Sequence, residues 1–149
     1  MHFPWCLAKC PYCDFVSYAT PRESVPHEAY ANAVLRELDT RASSFQERQI
    51  ASVFFGGGTP SLWDPLQLGR VLRGIRERLT CTVDLEVTVE CNPTSLDRER
   101  ADALFNAGVD RLSIGTQSLD QKELSFLGRL HDPNGALAAI DGALGSRVP

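Results

Sequence analysis

Net positive charge, long apolar runs and a disulfide framework are all missing from this 149-residue sequence. Fifteen Lys and Arg against 19 Asp and Glu give a formal net charge of −4, and the arginines are scattered, so we expect no nucleic-acid partner. No apolar run has the length of a membrane span, and no charged segment followed by an apolar one resembles a signal peptide. We therefore predict a cytoplasmic protein without a membrane span.

The five cysteines are an odd and uneven set, which indicates free thiols in a reducing compartment. Cys6, Cys10 and Cys13 lie at spacings of four and three residues, so their thiols can converge on one inorganic centre. A structural zinc site closes with four ligands, whereas three thiolates on a four-iron cluster leave one iron open to a small molecule. The triplet therefore favours a reactive iron–sulfur cluster.

Two alternatives for this triplet stay open on the residues alone. It can be three unrelated thiols, or a zinc site whose fourth ligand is His2, Cys81 or Cys91. Cys81 precedes a predicted strand and should lie at the opposite edge of the sheet, whereas Cys91 follows that strand and is the stronger rival. For His2 we favour a hydrogen bond near the end of the sheet.

Strand and helix signals alternate along the chain, which predicts right-handed βαβ units and a parallel sheet covered by helices. The predicted strands are Met1 to Phe3, Ile50 to Phe55, Val83 to Glu90 and Arg111 to Thr116. The predicted helices begin at Pro26, at Asp64-Pro65, at a capping box over Thr94 to Asp97, near Gln121 and at Asp132-Pro133. The fold class is α/β, a partial (βα) barrel of about four parallel strands, because a complete barrel takes about 250 residues.

Two local signals refine these helices. The apolar residues from Leu66 to Leu79 recur at helical spacing and predict the buried face of the second helix. Gly108 is placed to end the third helix.

The unusual polar residues all follow predicted strands, so they should share the carboxyl edge of the sheet, where ligands bind in such folds. They are the cysteine loop, Gly56 to Thr59, Glu90 and Gln117. Three glycines in succession let a ligand reach backbone amides and carbonyls, although such a triplet alone is more often a turn. Glu90 can bind an ammonium or a ribose hydroxyl, or it can be a carboxylate in solvent.

Together these residues resemble a known family. Cys6-X3-Cys10-X2-Cys13, with an aromatic at Tyr12, resembles the cluster motif of radical S-adenosylmethionine (SAM) enzymes, and Gly56 to Pro60 resembles their methionine-binding motif. Further stretches are similar to the branch of oxygen-independent coproporphyrinogen III oxidases and HemW-type heme chaperones. These stretches are His2 to Cys6, Phe54 to Ser61, Val89 to Pro93, Arg111 to Ser118 and Leu127 to Asp132.

The resemblance implies a site. Cys6, Cys10 and Cys13 would hold a [4Fe-4S] cluster whose open iron is chelated by SAM. The residues implied in SAM binding are Gly57, Gly58 and Thr59 at the methionine portion, Glu90, Arg129, Tyr12, and Gln117 at the ribose. An electron from a donor such as flavodoxin or ferredoxin would then cleave SAM to a radical, chemistry that belongs to the cofactor.

Two departures from the family pattern narrow the implied function. The oxidases resemble this sequence but have a further cysteine at the position of Phe15. The lack of that cysteine here favours a heme chaperone that binds heme and passes it to an acceptor protein. The alternative is the oxidase, which decarboxylates coproporphyrinogen III, and enzymatic cleavage of SAM is left open. The family also has a tyrosine two residues before the position of His2, one residue ahead of Met1, so we expect the first strand to be clipped. We further expect residues 1–149 to be a partial radical SAM core, without the later strands and the C-terminal porphyrin or heme domain.

Overall fold

Strands and helices alternate through the chain in a computed structural model that describes residues 1–45 and 47–149. The strands are β1 (His2–Phe3), β2 (Trp5–Cys6), β3 (Tyr18–Ala19), β4 (Ile50–Gly57), β5 (Cys81–Cys91) and β6 (Arg111–Ile114). The α-helices are α1 (His27–Arg41), α2 (Pro65–Arg78), α3 (Arg98–Asn106), α4 (Gln121–Phe126) and α5 (Pro133–Leu144). Short 3₁₀ turns lie at Arg22–Ser24, Ala42–Phe45, Pro60–Leu62 and Pro93–Ser95.

The main sheet has four parallel strands in the order β1-β4-β5-β6, which confirms the predicted α/β class. Its register pairs Phe54 with Thr88 and Thr88 with Arg111, so side chains of the three strands form lateral rows. The parallel pairing brings all carboxyl ends to one edge. A second sheet of only β2 and β3, which the sequence analysis did not predict, closes the cysteine loop.

The two-residue strand β1 keeps its place at the sheet edge through an aromatic cluster. Phe3 is almost fully buried and stacks on Trp63 with ring centroids 5.4 Å apart, while Trp5 and Tyr30 pack edge-on around it. Aromatic pairs of this kind each add about 1 kcal/mol beyond area burial. The cluster therefore fixes the backbone that leads into the cysteine loop.

Most helix boundaries follow the local signals. Asp64 accepts from Leu66 N at 2.9 Å with Pro65 in the first turn, Asp132 accepts from Gly135 N at 2.7 Å, and Gly108 follows α3 with φ 100°. The α3 capping prediction was wrong. Residues 93–95 form a 3₁₀ turn, and Asp97 is the cap instead, accepting from Arg100 N at 2.7 Å.

Helices cover one face of the sheet and bury a single core. Its principal members are Phe3, Val53, Phe55, Leu62, Trp63, Leu68, Val71, Leu72, Ile75, Leu85, Val87, Val89, Leu96, Leu104 and Val109. Leu66, predicted for this core, is 67% exposed because it points outward from the first turn of α2. Of the helices in the described ranges, none is both long and apolar enough to span a bilayer.

Candidate functional site

One open cleft at the carboxyl edge of the sheet collects every residue that the sequence analysis assigned to a site. Its cavity volume is about 270 Å³. The predicted residues among its lining are Cys6, Cys10, Tyr12, Cys13, Gly57, Gly58, Thr59, Glu90, Gln117 and Arg129. The expectation of a shared edge is therefore confirmed, while the role of each residue toward a ligand stays a prediction.

The cysteine loop is an excursion between β2 and β3 that is tied together at its base. Tyr18 N donates to Pro4 O at 2.7 Å and Thr20 N donates to Cys6 O at 2.8 Å, so both ends of the loop are fixed. Within it, Cys13 N donates to Cys10 O at 3.1 Å and forms a turn. The backbone thus presents all three thiols toward the cleft.

Of the three rival fourth ligands, His2 and Cys81 are placed elsewhere and Cys91 is a buried thiol. His2 Nε2 lies 2.8 Å from Val16 O, as favoured from the sequence, and Cys81 begins β5 at the far edge of the sheet. Cys91 is buried, and burial raises the pKa of its thiol to about 12, so it stays protonated and is a poor metal ligand.

Within the described residues, no group of three or more His, Cys, Asp or Glu side chains is arranged to hold a single metal ion. An iron–sulfur cluster imposes a different requirement. Each cysteine thiolate binds its own iron, so the sulfurs stand around the cluster rather than around one ion.

In the glycine segment Gly56 to Gly58, the first two glycines are the last residues of β4 and Gly58 is a bend directly after the strand. Gly57 has φ +112°, and a Cβ there would lie 2.4 Å from His2 Nδ1. A Cβ at Gly58 would lie 2.6 Å from Trp5 O. Glycine is therefore needed at both positions because residues 2–5 pass directly against them.

The amides of this segment are not open to a ligand, which corrects part of the sequence-based interpretation. Gly58 N donates to Phe3 O at 2.6 Å and Thr59 N donates to Trp5 O at 2.8 Å. Gly57 N donates to the Glu90 carboxylate at 3.0 Å. With these donors occupied, the polar groups that the glycine backbone can offer a ligand are carbonyl oxygens, which suit an ammonium group.

Glu90 is therefore not a carboxylate free in solvent. It lies near the end of β5, level with Ser113 of β6, and its Oε2 accepts the Gly57 amide. This bond aims the carboxylate at the glycine segment and leaves acceptor capacity on both oxygens. The Glu90 carboxylate therefore gives the cleft a hydrogen-bond acceptor beside the glycine segment.

Arg129 connects the cysteine loop to the end of β6. Its guanidinium donates to Cys10 Sγ at 3.3 Å, to the Tyr12 hydroxyl at 3.2 Å and to Gly115 O at 2.8 Å. Its buried Nε has no partner among the described residues. Burial raises the pKa of Tyr12 although the guanidinium opposes it, so the hydroxyl stays neutral. The arginine places a fixed positive charge beside a thiol that becomes anionic on binding metal.

Gln117 is the only non-glycine residue of the described chain with a positive φ, at 68°. A Cβ on Gly115 would lie 2.9 Å from Gln117 Nε2, so the missing side chain at Gly115 leaves room for the amide. Sequence reasoning missed Gly115, and it also missed His131, whose Nε2 lies 3.0 Å from Thr116 O. The signal for both was available, since each lies in a stretch that resembled the family.

The donor set fits an iron–sulfur cluster and a ligand with an amino-acid end. The three thiols, the Glu90 carboxylate and the Arg129 guanidinium all line the cleft, and the guanidinium contacts Cys10 Sγ. The Gly57 and Gly58 positions have no room for a Cβ, so the ligand can approach the backbone closely.

Comparisons with known proteins agree with this chemistry. A model of the radical SAM superfamily matches residues 1–149. The heme chaperone HemW of Escherichia coli strain K12 is 43% identical over 145 residues, covering 97% of this chain and 38% of that protein. The mitochondrial radical S-adenosyl methionine domain-containing protein 1 of Bos taurus is 43% identical over 140 residues, covering 94% of this chain and 31% of that protein.

A solved structure matches the fold. Coproporphyrinogen III oxidase (HemN) from Escherichia coli, a radical SAM enzyme, superposes with a TM-score of 0.83 at 27% identity, covering 96% of this chain and 33% of that one. The chain therefore spans about two fifths or less of the length of these proteins, whose shares are 38%, 31% and 33%.

Proposed function

This chain belongs to the radical SAM superfamily, and from that premise we propose that it binds a [4Fe-4S] cluster and SAM as the core of a heme chaperone. Family membership implies the cluster and SAM. The single observation that carries the proposal is the convergence of three thiols, the glycine segment, Glu90 and Arg129 on one cleft. Heme binding and heme transfer are the further steps that we infer.

Each group of residues that lines the cleft has a proposed role. Cys6, Cys10 and Cys13 hold the cluster. SAM would be bound by Gly57, Gly58 and Thr59 at its methionine portion, by Glu90 and Arg129 at its charged end, and by Gln117 at its ribose. Tyr12 would be a further SAM contact.

When bound, the cluster and SAM supply one-electron chemistry, and the chain's own residues bind and orient them. Glu90 binds the ammonium, and the hydrogen bond from the Gly57 amide holds its carboxylate beside the glycine segment. Arg129 balances the charge of the Cys10 thiolate through the contact that its guanidinium already makes with that sulfur. Buried Thr59 and Cys91 exclude water from the floor of the cleft.

Phe15 favours the chaperone over the oxidase. It lines the cleft and is 60% exposed, at the position where the oxidases have a further cysteine. The relatives named as heme chaperones are also more similar to this chain, at 36–43% identity, than the oxidase structure, at 27%. The proposed partners are heme or porphyrin, an electron donor such as flavodoxin or ferredoxin, and a heme-acceptor protein, in the cytoplasm.

Anaerobic reconstitution with iron and sulfide, followed by two assays, tests this function. We expect the reconstituted chain to bind SAM. A chain that joins this core to the C-terminal remainder found in its relatives should bind hemin at near-stoichiometric ratio in absorption titrations and form no protoporphyrinogen from coproporphyrinogen III with SAM and a reductant. Product formation would establish the oxidase instead. Zinc without iron or sulfide would establish a structural metal module. For a variant that removes a predicted cluster ligand, such as Cys10→Ala, the matched control is Cys81→Ala, because Cys81 lies at the opposite end of the strands.

A further inference from the structure

Two consecutive peptide carbonyls after β6 are held by side chains from one segment. Arg129 donates to Gly115 O at 2.8 Å, and His131 Nε2 lies 3.0 Å from Thr116 O. The segment that carries both side chains leaves α4 through Gly128, whose φ is +65°. Each of these two side chains therefore hydrogen-bonds one carbonyl just after the end of β6.

Gly115 and Thr116, whose carbonyls accept these hydrogen bonds, directly precede Gln117. Gly115 N donates to Cys91 O at 2.9 Å and Thr116 N donates to Ile114 O at 3.0 Å, so the amides of these two residues are also fixed. Gln117 then adopts a φ of 68°, a conformation that non-glycine residues keep only where the surroundings impose it. The Thr116 carbonyl belongs to the peptide bond that leads into Gln117, so the His131 contact acts directly on the Gln117 backbone.

His131 is poorly explained as a packing residue. It is 7% exposed, and a carbonyl only accepts, so Nε2 must carry the proton and donate it to Thr116 O. Its Nδ1 is buried with no partner within the described residues. A buried unpaired nitrogen costs stability, so a leucine of similar size would pack better unless the Nε2–H bond has a use.

We propose that His131 is a positioning residue that acts through Gln117. Its Nε2–H fixes the Thr116 carbonyl and thereby keeps the strained Gln117 backbone in the conformation that presents the side-chain amide to the cleft. This inference rests on the proposed function because the ligand that Gln117 would meet is SAM. It assigns His131 no contact with SAM or with the cluster.

The first test needs no cofactor. Imidazole ¹⁵N spectra of the unmodified chain should show the neutral ring protonated on Nε2, and a ring protonated on Nδ1 would overturn the proposal. Hydrogen exchange of the backbone at residues 112–118 should become faster in His131→Leu and stay slow in His131→Gln, whose amide can still donate. Unchanged exchange in His131→Leu would refute the proposed role of the hydrogen bond from His131 to Thr116 O.

The second test measures SAM binding by the reconstituted chain. We expect His131→Leu to weaken SAM affinity about tenfold, the effect of one lost hydrogen bond, and His131→Gln to recover most of it. Iron content should not change. The matched control is Asp132→Ala, which removes the α5 cap next door and should lower the melting temperature without weakening SAM binding.

A double-mutant cycle separates action through Gln117 from general destabilisation. If His131 acts through Gln117, His131→Leu should have little further effect on SAM affinity in a Gln117→Ala background. Additive losses would contradict the proposal. If the unmodified chain binds no SAM at all, the proposed function fails. The tautomer and exchange measurements would still decide whether the His131 hydrogen bond fixes the backbone that leads into Gln117.

Discussion

Replacing Gly57 by Ala should destabilise the chain strongly because two effects act at one atom. The residue has φ +112°, which costs a non-glycine residue about 1–3 kcal/mol. The new Cβ would also lie 2.4 Å from His2 Nδ1. His2 must then move and lose its contact with Val16 O, worth about 1 kcal/mol. The expected loss is about 2–4 kcal/mol of the free energy of unfolding.

Urea unfolding of the reduced chain, followed by circular dichroism, measures this loss. Gly145→Ala is the matched control, since it adds the same methyl group where φ is −80° and the nearest atom is 3.3 Å away. We expect no loss of stability in that variant. If Gly57→Ala unfolds within about 0.5 kcal/mol of the unmodified chain, the close approach of β1 to the glycine segment is wrong.

Two further predictions concern titratable groups. Cys91, whose thiol pKa burial raises to about 12, should resist iodoacetamide at about pH 8 in the folded, metal-free chain while Cys6, Cys10 and Cys13 react, and equal labelling would contradict its burial. Burial lowers the pKa of His27, so the unfolded chain takes up the proton first and the free energy of unfolding should fall as pH drops below about 6.5. His27→Asn should weaken that dependence in urea titrations, though not remove it, because burial also lowers the pKa of His131.

Sequence patterns were sufficient where a feature depends on neighbours along the chain. The Asp64 and Asp132 caps and the Gly108 stop involve residues within a turn of each other, so local spacing identifies them. The convergence of Glu90 and Gln117 on one edge also followed, since parallel strands leave little choice of where their ends lie.

Features that depend on distant contacts could not be predicted. The amides of the glycine segment are occupied by Phe3 and Trp5, more than fifty residues earlier, and no local pattern reports that. Local patterns also do not report the contact of Arg129 with Cys10, 119 positions away, or the hydrogen bond from His131 to Thr116 O. At Thr94 the capping-box spacing misled because Pro93 starts a 3₁₀ turn and moves the helix start to Asp97.

The most direct test of the central claim is the metal content of the reconstituted chain and its Cys10→Ala variant. We predict about four irons and four sulfides per unmodified chain, the same in Cys81→Ala, and loss of the brown absorbance in Cys10→Ala. An intact cluster spectrum in Cys10→Ala, or zinc in place of iron in the unmodified chain, would contradict the assignment of the cysteine loop.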